Sequence, residues 1–545
     1  MYVRDALADA LIDNDVTTIF GVPGKQSLPL HAAIDDRPAL RFVTARSELS
    51  ASHQAWGYAE TSGRMAVSLV VPGPGDMHAM SGLQNASNDC TPLLHISTET
   101  DPAERGGDAI HETDPSTYDT VVKENITVAT PSGVPAAVQR AIDVARSHPC
   151  GPVRIGIPTP FFDVDVARTA TQSSRVAHSP TIEDDTIDHA IDVLRSATSP
   201  VIIAGGGVRA SGASGELVTV AELLDAPVVT TYKGKGTIPE DHRLAAGTLG
   251  LGASIAVLDL LADADTALAI GTDFDAVAFG GWTIEVPDRL VHVTMDPDHL
   301  GRGYEPAVSV VADAGAVLTT IRSGLSNGAG HRTHSGADRA KQAREVTAEK
   351  LNGIIGGDAP PVTSVTALRA LREAIPRSGI VTLGGAGGFR VWSHVAFPAY
   401  GPRRFVDTGS WASMGSGVPS GIGAALANPD ADVVTITGDG ELLLNLGELH
   451  TLAAEGLPLT VAVLNNNDYA VISDAAESDG GAGFGWGDAP ADFVTVAEGL
   501  GIHGTRAETQ VEITEAMSAC IDHDGPALLE IPTDPAEPQA SEWMR

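Results

Sequence analysis

Asp439 stands between Gly438 and Gly440, and 24 residues separate that triplet from Asn465-Asn466-Asn467. A carboxylate, an amide oxygen and a nearby main-chain carbonyl form a hard, all-oxygen ligand set of low charge. Such a set suits Mg²⁺, which keeps water and takes further ligands from phosphate groups. The flanking glycines let a diphosphate come close to the backbone, and a helix opening at the turn would aim N–H groups at the anion. Either triplet alone reads as an ordinary turn or loop. Their spacing is what joins them.

That spacing fits one strand–helix–strand unit. DVVTIT (432–437) is a β-branched run ending at the GDG turn. Residues 441–455 read as one helix with Leu442, Leu446, Leu449 and Leu452 on an apolar face, and Gly456-Leu457-Pro458 ends it. LTVAVL (459–464) is a second buried strand, stopping at the asparagines. Strands joined in this way run parallel and lie close together. Both polar clusters are therefore expected at the carboxyl edge of one sheet, where open α/β folds bind ligands and where Asp439 and Asn466 can meet on one ion.

Three α/β segments extend the same pattern over the chain. In residues 1–170 the runs TTIFGVPG, RFVTA, MAVSLVVPGPG, PLLHIST and GPVRIGIP alternate with helical patterns. A polar stretch, 169–185, reads as a linker. Residues 185–325 carry PVIIAGGG, APVVTTY, TALAIGT and LVHVTMD, and 325–342 again has linker composition before a helix. Residues 360–545 carry GIVTLGG, DVVTITGDG, LTVAVLNNN and PALLEIPT. The fold class expected is α/β, with three doubly wound parallel-sheet domains.

GDG, 24 residues and then NN resembles the diphosphate–metal signature of thiamine-diphosphate (ThDP) enzymes. The resemblance implies Asp439, Asn466 and the main-chain oxygen of Asp468 as Mg²⁺ ligands, with Gly438, Gly440 and Glu441 beside the cofactor. FGVPG (20–24), ARSELSASHQAWGYAETSGR (45–64) and PGPGDMHAM (72–80) are similar to the pyrimidine-binding domain of the acetolactate synthase and benzoylformate decarboxylase group. This implies Pro23 and Gly24 at the cofactor and Glu48 as the catalytic acid against its aminopyrimidine ring. Arg46-Ser47-Glu48 stands where Arg-His-Glu is usual. GSWASMGSGVPSGIGAALA (409–427) implies Met414 as the residue that props the cofactor into its bent shape. LGGAGGFRVW (383–392) places Gly387, Gly388 and Phe389 at the diphosphate, in place of the usual polar side chains. Tyr469, Ala470 and Val471 should line the cofactor, with Ala470 replacing a glycine. In this family two chains pair so that the glutamate of one faces the diphosphate domain of the other, which implies a homodimer or homotetramer.

The residues 107–114 echo the synthase group, with His111 in place of a glutamine beside the reaction centre, where it could donate a proton. Lys123 matches a basic position able to attract an anionic substrate. Lys25 follows the Pro-Gly turn where the synthases have glycine, and 271–281 lacks the arginines of their flavin pattern, which counts against FAD. The expected activity is ThDP- and Mg²⁺-dependent decarboxylation and carboligation of a small 2-oxo acid such as pyruvate. Simple decarboxylation of a 2-oxo acid and a non-catalytic ThDP-fold subunit are the alternatives, and an NAD-dependent dehydrogenase ranks behind both.

Seventy acidic against 34 basic residues give a formal net charge of −36, and only six of the basic residues are lysine. Acids spread along the whole chain fit a solvated surface suited to multimolar salt, of the kind found in halophilic archaea. Nucleic acid and anionic membranes would be repelled. No 18-residue apolar run stands out. The N-terminal stretch does not resemble a signal peptide, and the three scattered cysteines suit a reducing cytoplasm.

Overall fold

The computed structural model describes residues 1–167, 182–325, 333–355, 359–487 and 489–545. Each of the three segments holds one six-stranded sheet whose paired strands are parallel throughout. The first contains β1 (Thr18–Gly21), β2 (Arg41–Thr44), β3 (Ala66–Val70), β4 (Leu93–Glu99), β5 (Glu124–Thr127) and β6 (Pro152–Pro158), in the order β2-β1-β3-β4-β6-β5. The second contains β7 (Pro200–Ala204), β8 (Val228–Thr230), β9 (Ala245–Thr248), β10 (Thr266–Ile270), β11 (Leu290–Thr294) and β12 (Val308–Val311), in the order β12-β11-β10-β7-β8-β9. The third contains β13 (Ile380–Leu383), β14 (Phe405–Val406), β15 (Val433–Gly438), β16 (Leu459–Asn465), β17 (His503–Arg506) and β18 (Ala527–Pro532), in the order β14-β13-β15-β16-β18-β17. Helices cover both faces, so the central strands are buried throughout and carry Val, Ile, Leu and Ala on either side.

The helices that frame the site come from the first and third segments. The first supplies α1 (Glu48–Ser62), α2 (Pro74–Asn88) and α3 (Val134–Arg146). A connecting helix, α4 (Gly336–Ile354), sends Ala340 and Ala343 into the core of the second segment and Leu351 and Ile354 into that of the third. The third supplies α5 (Gly388–Ala396), α6 (Gly417–Ala427), α7 (Asp439–Leu444), α8 (Glu448–Glu455) and α9 (Ala470–Ser478).

Two sequence expectations are corrected here. The stretch 325–342 is helical from Gly336 onward, because Ser335 caps α4 and helix-forming Ala, Arg and Lys follow. The rest of that linker that falls on 326–332, and the part of the 169–185 linker up to residue 181, lie outside the described residues. The single helix expected over 441–455 is two, α7 and α8. Asn445 leaves helical geometry at φ −128° to donate its side-chain N–H to the Gly415 carbonyl, and Leu446 is only partly buried.

The segments lock together. Helices α1 and α6 cross so closely that a Cβ on Gly57 would stand 2.3 Å from the Ser420 oxygen, and one on Gly423 2.0 Å from the Gln54 oxygen. Where the three segments meet, Glu60 pairs with Arg209 at 2.6 Å, and Lys233 bridges Asp89 to the Asp407 carbonyl, each at 2.5 Å.

Candidate active site

Strands β13, β15 and β16 are neighbours, and after each the chain turns directly into a helix: α5, α7 and α9. The connections leave β13 in one direction along the sheet and β15 in the other, so the gap between them is a topological switch point. Three helix N-termini therefore converge at one sheet edge, a cradle for an anion. Gly387, at φ 106°, takes a backbone conformation that a side chain would strain, and a Cβ on Gly440 would meet Tyr469 at 2.5 Å. Phe389 is buried, its ring lying under the cradle glycines, where a Cβ on Gly387 or Gly438 would come within 3.1 Å of it.

Asp439 opens α7. One of its carboxylate oxygens accepts the Gly440 N–H at 2.8 Å, and the other accepts the Asn467 N–H at 2.7 Å and the Trp486 indole N–H at 3.3 Å. The Asn467 bond joins the GDG turn to the asparagine loop. Burial pushes the Asp439 carboxyl above its ordinary range in spite of these donors, and a cation beside it would reverse that shift. Asn466 Oδ1 accepts the Asp468 N–H at 3.1 Å. The Asp468 side chain takes a hydrogen bond from Ser473 and lies near Gly485, so it is turned toward the 481–487 segment. That leaves the main-chain oxygen as the candidate ligand at this position. The Glu441 carboxylate accepts backbone N–H groups of Ala386, Ser416 and Gly417 at 3.1–3.3 Å. It thus pins the loop after β13 to the turn that carries the half-buried Met414. Tyr469 and Val471 are exposed, and Ala470 is the first residue of α9.

Glu48 opens α1 on the other half of the site. Ser47 caps this helix by accepting the Ser50 N–H at 3.2 Å, which gives the unusual serine a structural task. The buried Glu448 carboxylate, from the third segment, accepts the N–H groups of Arg46 at 2.7 Å and Ser47 at 3.2 Å. Gly75 lies beside the Glu48 carboxylate, where a Cβ would touch Oε1 at 3.4 Å. Oε2 lies 3.1 Å from His78 Nδ1, a contact the sequence did not disclose.

His78 and His111 both line a cavity of about 900 Å³, together with Met77, Asp108 and Ala109. Gln26, two residues past Gly24 in the Pro23-Gly24 turn, lies with Nε2 3.2 Å from His111 Nδ1, an arrangement that leaves Nε2 of the histidine to carry the proton. The His111 backbone, at φ 64°, packs over Gly73. Lys123 is a correction. Its ammonium donates to Val144 O, Ser147 O, Ser147 Oγ and Pro149 O at 2.6–2.9 Å, closing the carboxyl end of α3, where the helix dipole favours a cation. Lys123 lines a different cavity, of about 1450 Å³, bordered by residues of all three segments. Lys25 is exposed beyond the Pro-Gly turn.

The 271–281 stretch borders that larger cavity through Asp273 and Asp275, with Asp296 and Asp313 nearby. Five arginines also line it, Arg64, Arg146, Arg209, Arg302 and Arg403, and of these Arg209 pairs with Glu60 and Arg302 with Asp273. Among the described residues no helix is long and apolar enough to cross a membrane.

Family models for thiamine pyrophosphate enzymes match three parts of the chain: the N-terminal TPP binding domain over residues 1–118, the central domain over 187–321 and the C-terminal TPP binding domain over 385–531. A probable acetolactate synthase large subunit of Methanococcus aeolicus is 30% identical, with 98% of this chain and 92% of the relative covered. Its counterpart in Methanocaldococcus jannaschii is 29% identical over the same shares. A probable chloroplastic acetolactate synthase 2 of Oryza sativa is 30% identical, covering 97% of this chain and 82% of the relative.

Proposed function

The chain belongs to the thiamine pyrophosphate enzyme family, and from that premise we propose that it decarboxylates a small 2-oxo acid such as pyruvate and joins the remaining fragment to a second 2-oxo acid. The reaction uses ThDP and Mg²⁺ and runs in the cytoplasm, in salt concentrated enough to screen the net charge of −36. The observation that carries this reading is the joined GDG and asparagine turns. They gather an Asp439 carboxylate lifted by burial, the Asn466 amide and three helix N-termini at one sheet edge.

Bound ThDP supplies the electron sink that lets a 2-oxo acid lose CO₂. Asp439, Asn466 and the Asp468 carbonyl would hold Mg²⁺, and the N-termini of α5, α7 and α9 would hold the diphosphate. Glu48 would share a proton with the aminopyrimidine ring, and only 15% of its side chain is exposed. Met414 would support the bend of the cofactor. His111 presents Nε2 to the cavity as a proton donor.

Exposed apolar side chains crowd both half-sites: Leu28, Met77 and Ile110 in the first segment, Leu444, Tyr469 and Ile472 in the third. They suit burial against a second copy of the chain, as a site completed across a homodimer requires.

A second reading, release of a free aldehyde after CO₂ loss, is favoured by His111. A ring proton at the reaction cavity can end the sequence by protonation before an acceptor adds. Incubation with ThDP, Mg²⁺ and pyruvate in molar KCl separates the two readings. Acetolactate is expected, and acetaldehyde as the main product replaces carboligation with decarboxylation. In the same assay Glu48→Gln should lower kcat by roughly a hundredfold or more. Unchanged turnover removes Glu48 from the mechanism.

A further inference from the structure

We propose that His78 is a positioning residue for Glu48, holding its carboxylate through Nδ1 and passing protons between it and the cavity. This rests on Glu48 being the acid of the thiamine site. The pair differs from an ordinary surface ion pair, which contributes little, because the backbone beneath it is clamped at two points. At the start of α2 the buried Asp76 carboxylate accepts from His95 Nε2, Ser97 Oγ and Arg154 Nη2, each at 2.7 Å, fixing the first turn to β4 and β6. Seven residues before Asn88 the same helix meets the third segment, where Ser81 Oγ lies 2.8 Å from Ser413 Oγ, beside Met414. His78 falls between the clamps and, three residues before Ser81, on the same helical face.

The two partners differ in access. The Glu48 side chain is 15% exposed and that of His78 67%. Glu48 is thus shielded, while the imidazole reaches from it into the cavity it shares with His111. A proton leaving Nδ1 for Glu48 Oε2 is replaced by one taken up at Nε2 from hydronium in the solvent of the cavity, which is left as water. The ring is left as the other tautomer and resets by exchange. The groups around the pair have other tasks: Arg46 reaches to His450 and the Thr44 carbonyl, Glu448 holds the amides before Glu48, and Glu112 accepts the Gly106 and Ala109 N–H groups.

The test begins without cofactor. In the ¹⁵N-histidine-labelled apoprotein, at a pH where the ring is neutral, His78 should carry its proton on Nδ1, and Glu48→Ala should move it to Nε2. A wild-type ring protonated on Nε2 overturns the proposal. In the loaded enzyme His78→Ala should lower kcat roughly ten- to a hundredfold with KM nearly unchanged. His78→Asn, which keeps a donor at the Nδ1 position, should recover part of the loss, and imidazole added to His78→Ala should restore kcat in proportion to its concentration. If Glu48→Gln is inactive while His78→Ala turns over normally, the inference fails and the proposed function stands. If both variants turn over normally, the role of Glu48 fails and this inference with it.

Discussion

Ser68, His95 and Asp76 form a line of hydrogen bonds at 2.7 Å in the order of a hydrolase relay, yet all three are fully buried. No substrate reaches the serine, so the array is structural. Burial alone would raise the Asp76 carboxyl, but the His95 hydrogen bond and the Arg154 charge bring it down to about 2 from an ordinary 3.8. A depressed carboxyl stabilises the fold at pH values above its unfolded value, and the stabilisation is lost as pH falls through the folded one. Asp76 should therefore contribute roughly 2 kcal/mol near neutrality, lost between about pH 4 and pH 2. Acid titration of unfolding free energy, followed by tryptophan fluorescence, should show that loss in the wild type. In Asp76→Asn the protein should start less stable and have a shallower slope over the same interval. Equal slopes would show that Asp76 titrates alike folded and unfolded. Glu48, Asp439 and Asn466 were legible in the sequence because each sits in a motif of fixed spacing. His78 was not, since its partner lies 30 residues away and they meet only through the way α1 and α2 pack.

At the scale of elements, the crossing of α1 and α6 sets where Glu48 stands relative to the third segment. Backbone meets backbone there, so a larger residue finds no flexible side chain to displace. Gly423→Val should cost about 3 kcal/mol or more and weaken ThDP binding, because α1 carries Glu48 at its start. Thermal unfolding and calorimetric cofactor titration check this. A variant with the wild-type melting temperature would mean the helices separate freely. The strands that sequence reading missed are β5, β9, β12, β14 and β17, every one of them at a sheet edge. An edge strand is short and partly solvated: ENIT of β5 and HGTR of β17 have mixed exposure and lack the continuous apolar run of a central strand. The helix expected over 441–455 was misread for a related reason. Its leucine spacing is right on both sides of Asn445, but the bond from that side chain to Gly415 is a tertiary contact that periodicity cannot register.

At the scale of the molecule, the two halves of the candidate site lie in one chain, yet no described hydrogen bond or ion pair links Glu48, His78 or His111 to Asp439, Asn466 or Asp468. Exposed apolar side chains surround each half. If a twofold dimer brings Glu48 of one protomer to Asp439 of its partner, each dimer has two sites and each site draws on both chains. Co-expression of Glu48→Gln and Asp439→Ala chains then gives a distinctive result. Either homodimer carries the same lesion in both sites and is inactive. A mixed dimer places both lesions in one site and leaves the other intact. With random pairing about half of the dimers are mixed, each with one working site, so the preparation should recover about a quarter of wild-type activity. A site contained within one chain predicts no recovery at all, because every chain carries a lesion. The outcome is insensitive to which 2-oxo acid is the substrate, provided the assay uses one that the wild type turns over. The test should be run in molar KCl, where the Debye length falls to a few ångströms. Two surfaces drawn from a chain of charge −36 can then approach without long-range repulsion.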